Sequence, residues 1–72
     1  MAKNIQAALG ARIRQLRKNR EWSQEDLAAA SDLHWTYIGQ VERGERNLTL
    51  QSLRAIAKAL NLKMSELLAG VD

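Results

Sequence analysis

The apolar side chains fall into helical register from one end of the chain to the other. Ile5, Leu9, Ile13 and Leu16 recur at intervals of four, four and three, which puts them on one face of a helix over about 5–20. Leu27 marks a second helix over about 24–31, and Ile38 and Val41, three apart, a third over about 34–43. Leu50, Leu53, Ile56, Ala57 and Leu60 are in register for a fourth over about 50–60, and an apolar tail predicts a short fifth over about 64–69. No segment alternates with a period of two, so no strand is expected. The expectation is an all-α fold, five helices in one compact domain covering residues 1–72.

Cap residues punctuate that pattern. Asn4 precedes the first helix, and Ser23 precedes the second with Asp26 three residues on, the spacing of a capping box. Trp22, just before that cap, is placed to pack as a hydrophobic staple. Thr49 caps the fourth helix, while Gly44, Asn61 and Gly70 stand where the third, fourth and fifth stop. Gly10 lies inside the first helix, where it costs roughly 1 kcal/mol against Ala and marks a candidate close contact.

The stretch Gln24–Val41 organises the rest. Ala28 falls where its two helices would cross, and a larger side chain there would force the axes apart at a cost of about 1–3 kcal/mol. Ala29, Ala30 and Ser31 keep the end of the first of the pair slim. Asp32 sits at the turn, where a left-handed backbone is expected and Asp is among the better-tolerated residues. Leu33 plugs the corner, and Trp35, Thr36, Gly39, Gln40 and Arg43 remain for an exposed face. Two short helices, a tight turn and a solvent-facing second helix have the spacing of a DNA-binding helix-turn-helix.

The segments RIRQLRKNREWSQEDLA, YIGQVERGERNLTL and LRAIAKALNLKMSELL carry a wider likeness over about residues 9–69. In order and spacing they resemble the lambda-repressor-like (Cro-type, Xre) family, and VERGERNLTLQSL is similar to the small controller proteins of restriction–modification systems. The resemblance implies a five-helix lambda-repressor-like domain that binds double-stranded DNA sequence-specifically and regulates transcription. It also implies residue roles. Trp35, Thr36 and Gln40 would contact bases, and Gln24, His34, Tyr37, Arg43, Arg46 and Asn47 would contact phosphates. Arg17 and Glu42 would join the first and third helices as a structural ion pair, with DNA contact by Arg17 the alternative. For Trp35 the alternative is an aromatic covering the domain edge, for Tyr37 a half-buried ring, and for Gln40 a solvated amide. His34 and Lys63 depart from the family's usual caps, and Glu21 stands where relatives commonly carry Gly.

Charge and composition narrow the function classes. Lys3, Arg12, Arg14, Arg17, Lys18 and Arg20 crowd the first twenty residues with no acid among them, within a net charge of +3. That asymmetry is the footprint of a phosphate-facing surface, or a solvated basic helix face. One His, no Cys and no convergent carboxylate pair leave no acid–base constellation, so no enzyme, metal or cofactor is expected. Absence of Cys, of a signal-like segment and of a membrane-length apolar run points to the cytoplasm. No small-molecule ligand is evident. The tail residues Leu60, Leu62, Met64, Leu67, Leu68 and Val71 exceed what the core needs, so some fill the core or some pair across a two-fold axis. The expected dimer contact is the fifth helix with the 47–50 loop, through Leu48, Leu50, Met64, Leu67, Leu68 and Val71. The expected assembly is a homodimer on a pseudo-palindromic operator. A protein-interaction module or an antitoxin of the same fold is the rival reading.

Overall fold

Helix starts are fixed by side chains that accept orphan backbone N–H groups. The computed structural model describes residues 4–71. Asn4 Oδ1 accepts from the Gln6 and Ala7 amides and opens α1, Ile5–Asn19. Ser23 Oγ accepts from Asp26 N at 3.0 Å while Asp26 accepts from Ser23 N at 2.8 Å, so the capping box that opens α2, Gln24–Ser31, is complete. α3 runs Trp35–Glu42 behind a cap from His34, and α4 runs Leu50–Ala59 behind Thr49, whose hydroxyl accepts from Ser52 N at 3.0 Å. α5 is only Met64–Leu67. Lys63 supplies no side-chain cap there; Glu66 alone accepts from the Lys63 amide, at 2.7 Å. The fifth helix starts where the sequence pattern predicts and stops two residues sooner, at Leu67 rather than 69.

Four helix ends share one closing geometry. After α1 the Trp22 amide reaches the Arg17 carbonyl, after α2 the Leu33 amide reaches Ala28, after α3 the Glu45 amide reaches Gln40, and after α4 the Leu62 amide reaches Ala57. These are Schellman closures, which need one left-handed residue each. Glu21 (φ 59°), Gly44 (φ 76°) and Asn61 (φ 58°) take that conformation. The turn between α2 and α3 also holds Asp32 left-handed, at φ 59° and ψ 36°.

The core is made where the stripes of α1 to α5 meet. Ile13, Leu27, Ile38, Ile56, Leu60 and Leu67 are fully enclosed, with Ala28, Val41, Leu53 and Ala57 around them. Leu9, Leu16, Trp22, Leu33 and Met64 pack on its margin. Ile5 does not join the stripe that its spacing assigns it to; at the first turn of α1 it is 60% exposed. α1 approaches α3 so closely at Gly10 that a Cβ there would overlap the Val41 carbonyl oxygen and lie 2.7 Å from that of Glu42. The radius of gyration, 11.0 Å, equals the roughly 11 Å expected for one compact domain of this length.

Candidate nucleic-acid interface

The helix-turn-helix is held from behind. Ala28 is buried between α2 and α3, Ser31 Oγ turns back to the Leu27 carbonyl at 2.7 Å, and the Leu33 amide bonds to the Ala28 carbonyl at 3.1 Å. Ile38 and Val41 sink the inner face of α3 into the core. Its outer face begins with Trp35, 53% exposed, and Thr36, also exposed. Gln40 and Tyr37, three apart and so neighbours on α3, are half-buried.

Gly39 departs from the expected exposed face. It is buried, because Gln24 and Arg43 lie across it: a Cβ at Gly39 would stand 3.2 Å from a guanidinium nitrogen of Arg43 and 3.4 Å from Gln24 Oε1. Gln24, at the first turn of α2, turns its amide nitrogen inward to Glu42 Oε1 at 3.2 Å.

Glu42 ties the scaffold to this surface. Arg17 Nε and a terminal guanidinium nitrogen donate to its two carboxylate oxygens at 2.7 and 2.9 Å, and the other terminal nitrogen donates to the Trp22 carbonyl at 2.7 Å. Both residues are buried. Hydrogen bonding to Glu42 raises the Arg17 pKa above its ordinary value despite the opposing effect of burial. The pair thus links α1, the loop before α2, and α3. Removing one partner of such a buried pair leaves an uncompensated charge and costs about 3–5 kcal/mol.

The remaining cations divide between scaffold and surface. Arg12 donates to the carbonyls of Glu66 and Leu67, at 2.8 and 3.3 Å, and so fastens α1 to α5. Arg20 donates to the Leu60 carbonyl and sits 5.5 Å over the Trp22 ring. The basic run of the first helix is therefore not one phosphate-facing surface. Arg12, Arg17 and Arg20 serve the fold, Arg14 and Lys18 stay exposed, and Lys3 lies outside the described residues. Beyond α3, Arg46 covers the Tyr37 ring at 5.2 Å and points a nitrogen at Gln40 Oε1, 3.4 Å away. Asn47 accepts from Gln6 on α1. Arg43 is paired with exposed Glu45 at 3.0 and 3.2 Å; the hydrogen bonds raise the Arg43 pKa and lower that of Glu45. Arrangements of this kind, two or more residues of loop away from their partners, carry no periodic signal. Only the opposite charges of Arg43 and Glu45, two apart, were there to be read.

The apolar surface expected at a dimer contact is only partly available. Leu67 is fully buried and Val71 nearly so, because the chain folds its tail back onto its own core; neither offers area to a second copy. Leu48 and Met64 are half-buried, while Leu50 (76%) and Leu68 (38%) are exposed. Ile5 adds to these and was not anticipated from the sequence.

Set beside known proteins, the chain matches the family model described as helix-turn-helix over residues 13–67. It belongs to that family, in its Xre-type form. It is 44% identical to control protein C.BamHI of Bacillus amyloliquefaciens over 69 residues, 94% of this chain and 85% of that one. It is 49% identical to control protein C.SmaI of Serratia marcescens over 65 residues, 90% of this chain and 77% of that one. The crystal structure of the restriction–modification controller protein C.AhdI from Aeromonas hydrophila superposes with a TM-score of 0.84 at 42% identity, covering 86% of this chain and 94% of that one. Among the described residues no helix is long and apolar enough to cross a membrane.

Proposed function

We infer that this chain is a sequence-specific double-stranded DNA-binding regulator of transcription that reads a pseudo-palindromic operator as a homodimer. One observation carries the reading: α3 is anchored through Ile38 and Val41 and leaves Trp35 and Thr36 in solvent, at the position from which a recognition helix enters the major groove. Thr36 offers a hydroxyl and a methyl, Trp35 an apolar ring with one N–H, and Gln40 an amide suited to adenine. His34, Tyr37, Arg43, Arg46, Asn47 and the amino end of α2 at Gln24 frame that helix and supply the phosphate contacts that fix register. Arg46 also steadies Gln40, so loop and helix act together.

The relatives named as control proteins support a controller role in a restriction–modification system, and the same reading places the protein in the cytoplasm with no catalytic activity. Leu50, Leu68 and Ile5, with the half-buried Leu48 and Met64, supply the dimer contact. Two recognition helices would then address half-sites about one helical turn, roughly 34 Å, apart. Selection of bound duplexes from a random pool tests the whole proposal. The expected product is a two-fold site with half-sites about 10 base pairs apart. Retention of no duplex above bulk competitor at moderate ionic strength overturns it.

A further inference from the structure

α3 starts on an imidazole. His34 has the extended backbone of an N-cap (φ −67°, ψ 139°), and its Nδ1 accepts the Thr36 amide hydrogen at 3.1 Å. A ring nitrogen accepts only when it bears no proton; in the imidazolium both nitrogens are donors. The cap therefore exists in one form of the side chain, the neutral ring with its hydrogen on Nε2. The caps of α1, α2 and α4 come from the amide of Asn4 and the hydroxyls of Ser23 and Thr49, acceptors that gain no proton near neutral pH.

The surroundings make that difference matter. The His34 ring is exposed and stacks on Trp35, centroids 6.2 Å apart and planes 21° from parallel. It lies in an open cleft with Ala28, Ala29 and Leu33, and the charged groups that share the cleft are Glu25 of α2 and Asp32 of the turn. Imidazole is also the side chain whose charge ordinarily changes between about pH 5 and 8. α3 has eight residues, and its packing through Ile38 and Val41 holds its middle and end rather than its first turn. Its first turn carries Trp35 and Thr36.

We propose that His34 is a positioning residue: its neutral imidazole orders the first turn of α3, and protonation releases the Thr36 amide, loosens Trp35 and Thr36, and weakens DNA reading. The proposal rests on the DNA-binding reading given above. Its test uses the full chain, His34→Ser, which keeps a cap that does not titrate, and His34→Phe, which has none. Each is titrated from about pH 8 to about pH 5.5 at fixed ionic strength. The readouts are imidazole nitrogen NMR, Thr36 amide exchange, and affinity for the selected duplex.

At the alkaline end the native ring carries its hydrogen on Nε2, and the ratio of native to His34→Ser affinity there is the reference for the acid arm. Toward acid the native chain loses about fivefold per protomer against His34→Ser, the scale of one helix cap, and Thr36 exchange accelerates by a similar factor. His34→Phe is weak at every pH. A hydrogen on Nδ1 at the alkaline end, a ratio that stays constant with pH, or a native chain that gains on His34→Ser in acid each overturns the proposal. Failure of the DNA reading shows itself separately, as no duplex held by the native chain at any pH; the ring and exchange results then decide the cap itself.

Discussion

Two single positions carry conflicts that a substitution can resolve. Glu21 closes α1 at φ 59°, where an L side chain costs about 1–2 kcal/mol, and Gly would remove most of that strain. Gly gives back about 0.5–1 kcal/mol through the freedom it adds to the unfolded chain. Glu21→Gly should therefore stabilise by about 0.5–1 kcal/mol, a rise of about 2–8 °C in the midpoint followed by circular dichroism. An unchanged or lower midpoint would show that the Glu21 side chain compensates its backbone. The second conflict is at Arg43, whose guanidinium is held by Glu45 in the free protein although it is proposed to meet a phosphate. Glu45→Gln frees it. Affinity for duplex should rise, and the plot of log affinity against log salt should steepen by about 0.9 per protomer. Because Arg43 depresses the Glu45 pKa, the native carboxylate stays charged down to below the ordinary carboxylate range, and only stronger acid would mimic the substitution. A salt slope identical to that of the native chain would remove Arg43 from the phosphate contacts.

At the scale of elements, what the sequence made legible was whatever is local. The starts of α1, α2 and α4 follow from Asn4, Ser23 and Thr49, and the core stripe of α4 from the spacing of Leu53, Ile56, Ala57 and Leu60, but not Leu50, which shares the register and is exposed. The early stop of α5 did not follow, since the last apolar residues belong to a tail that folds inward. The surface was legible in outline but not in detail. Whether a given Arg faces DNA or the scaffold depends on partners far along the chain: 54 and 55 residues for Arg12 and 40 for Arg20. Burial of Gly39 likewise depends on two side chains from different elements. Gly10 shows how strongly packing overrides propensity. Ala would favour the helix by about 1 kcal/mol, yet its methyl would overlap the α3 backbone, which cannot move as a flexible side chain can. Gly10→Ala should destabilise by about 1–3 kcal/mol in urea unfolding. If it stabilises instead, α1 and α3 are free to separate, and the Arg17–Glu42 pair spanning them would need another explanation.

For the molecule as a whole, the central question is how a small domain couples assembly to DNA. The groove lined by Ile5, Leu9, Leu48 and Leu68 is lined also by Arg46 and Asn47, so the apolar face meets the loop that is proposed to hold the DNA backbone. Gln6, on the rim of the groove, bonds to Asn47 directly. A second copy seated against this face would order that loop and also add buried apolar area to a chain short enough to be marginal by itself. Each Leu carried from water into a contact contributes about 1.5–3 kcal/mol, and a two-fold axis counts it twice. Leu50 and Leu68 are exposed in the single chain, so replacing both by Glu should leave its fold intact while setting like charges against each other across the axis. Sedimentation of Leu50→Glu/Leu68→Glu at micromolar concentration should give monomer where the native chain gives dimer, and its melting midpoint should no longer rise with concentration. Affinity should fall at least tenfold on the complete two-fold site and remain unchanged on an isolated half-site, since α3 is untouched. Equal losses on both sites would mean that these leucines shape the recognition surface itself, and persistence of the dimer would move the two-fold axis to another face.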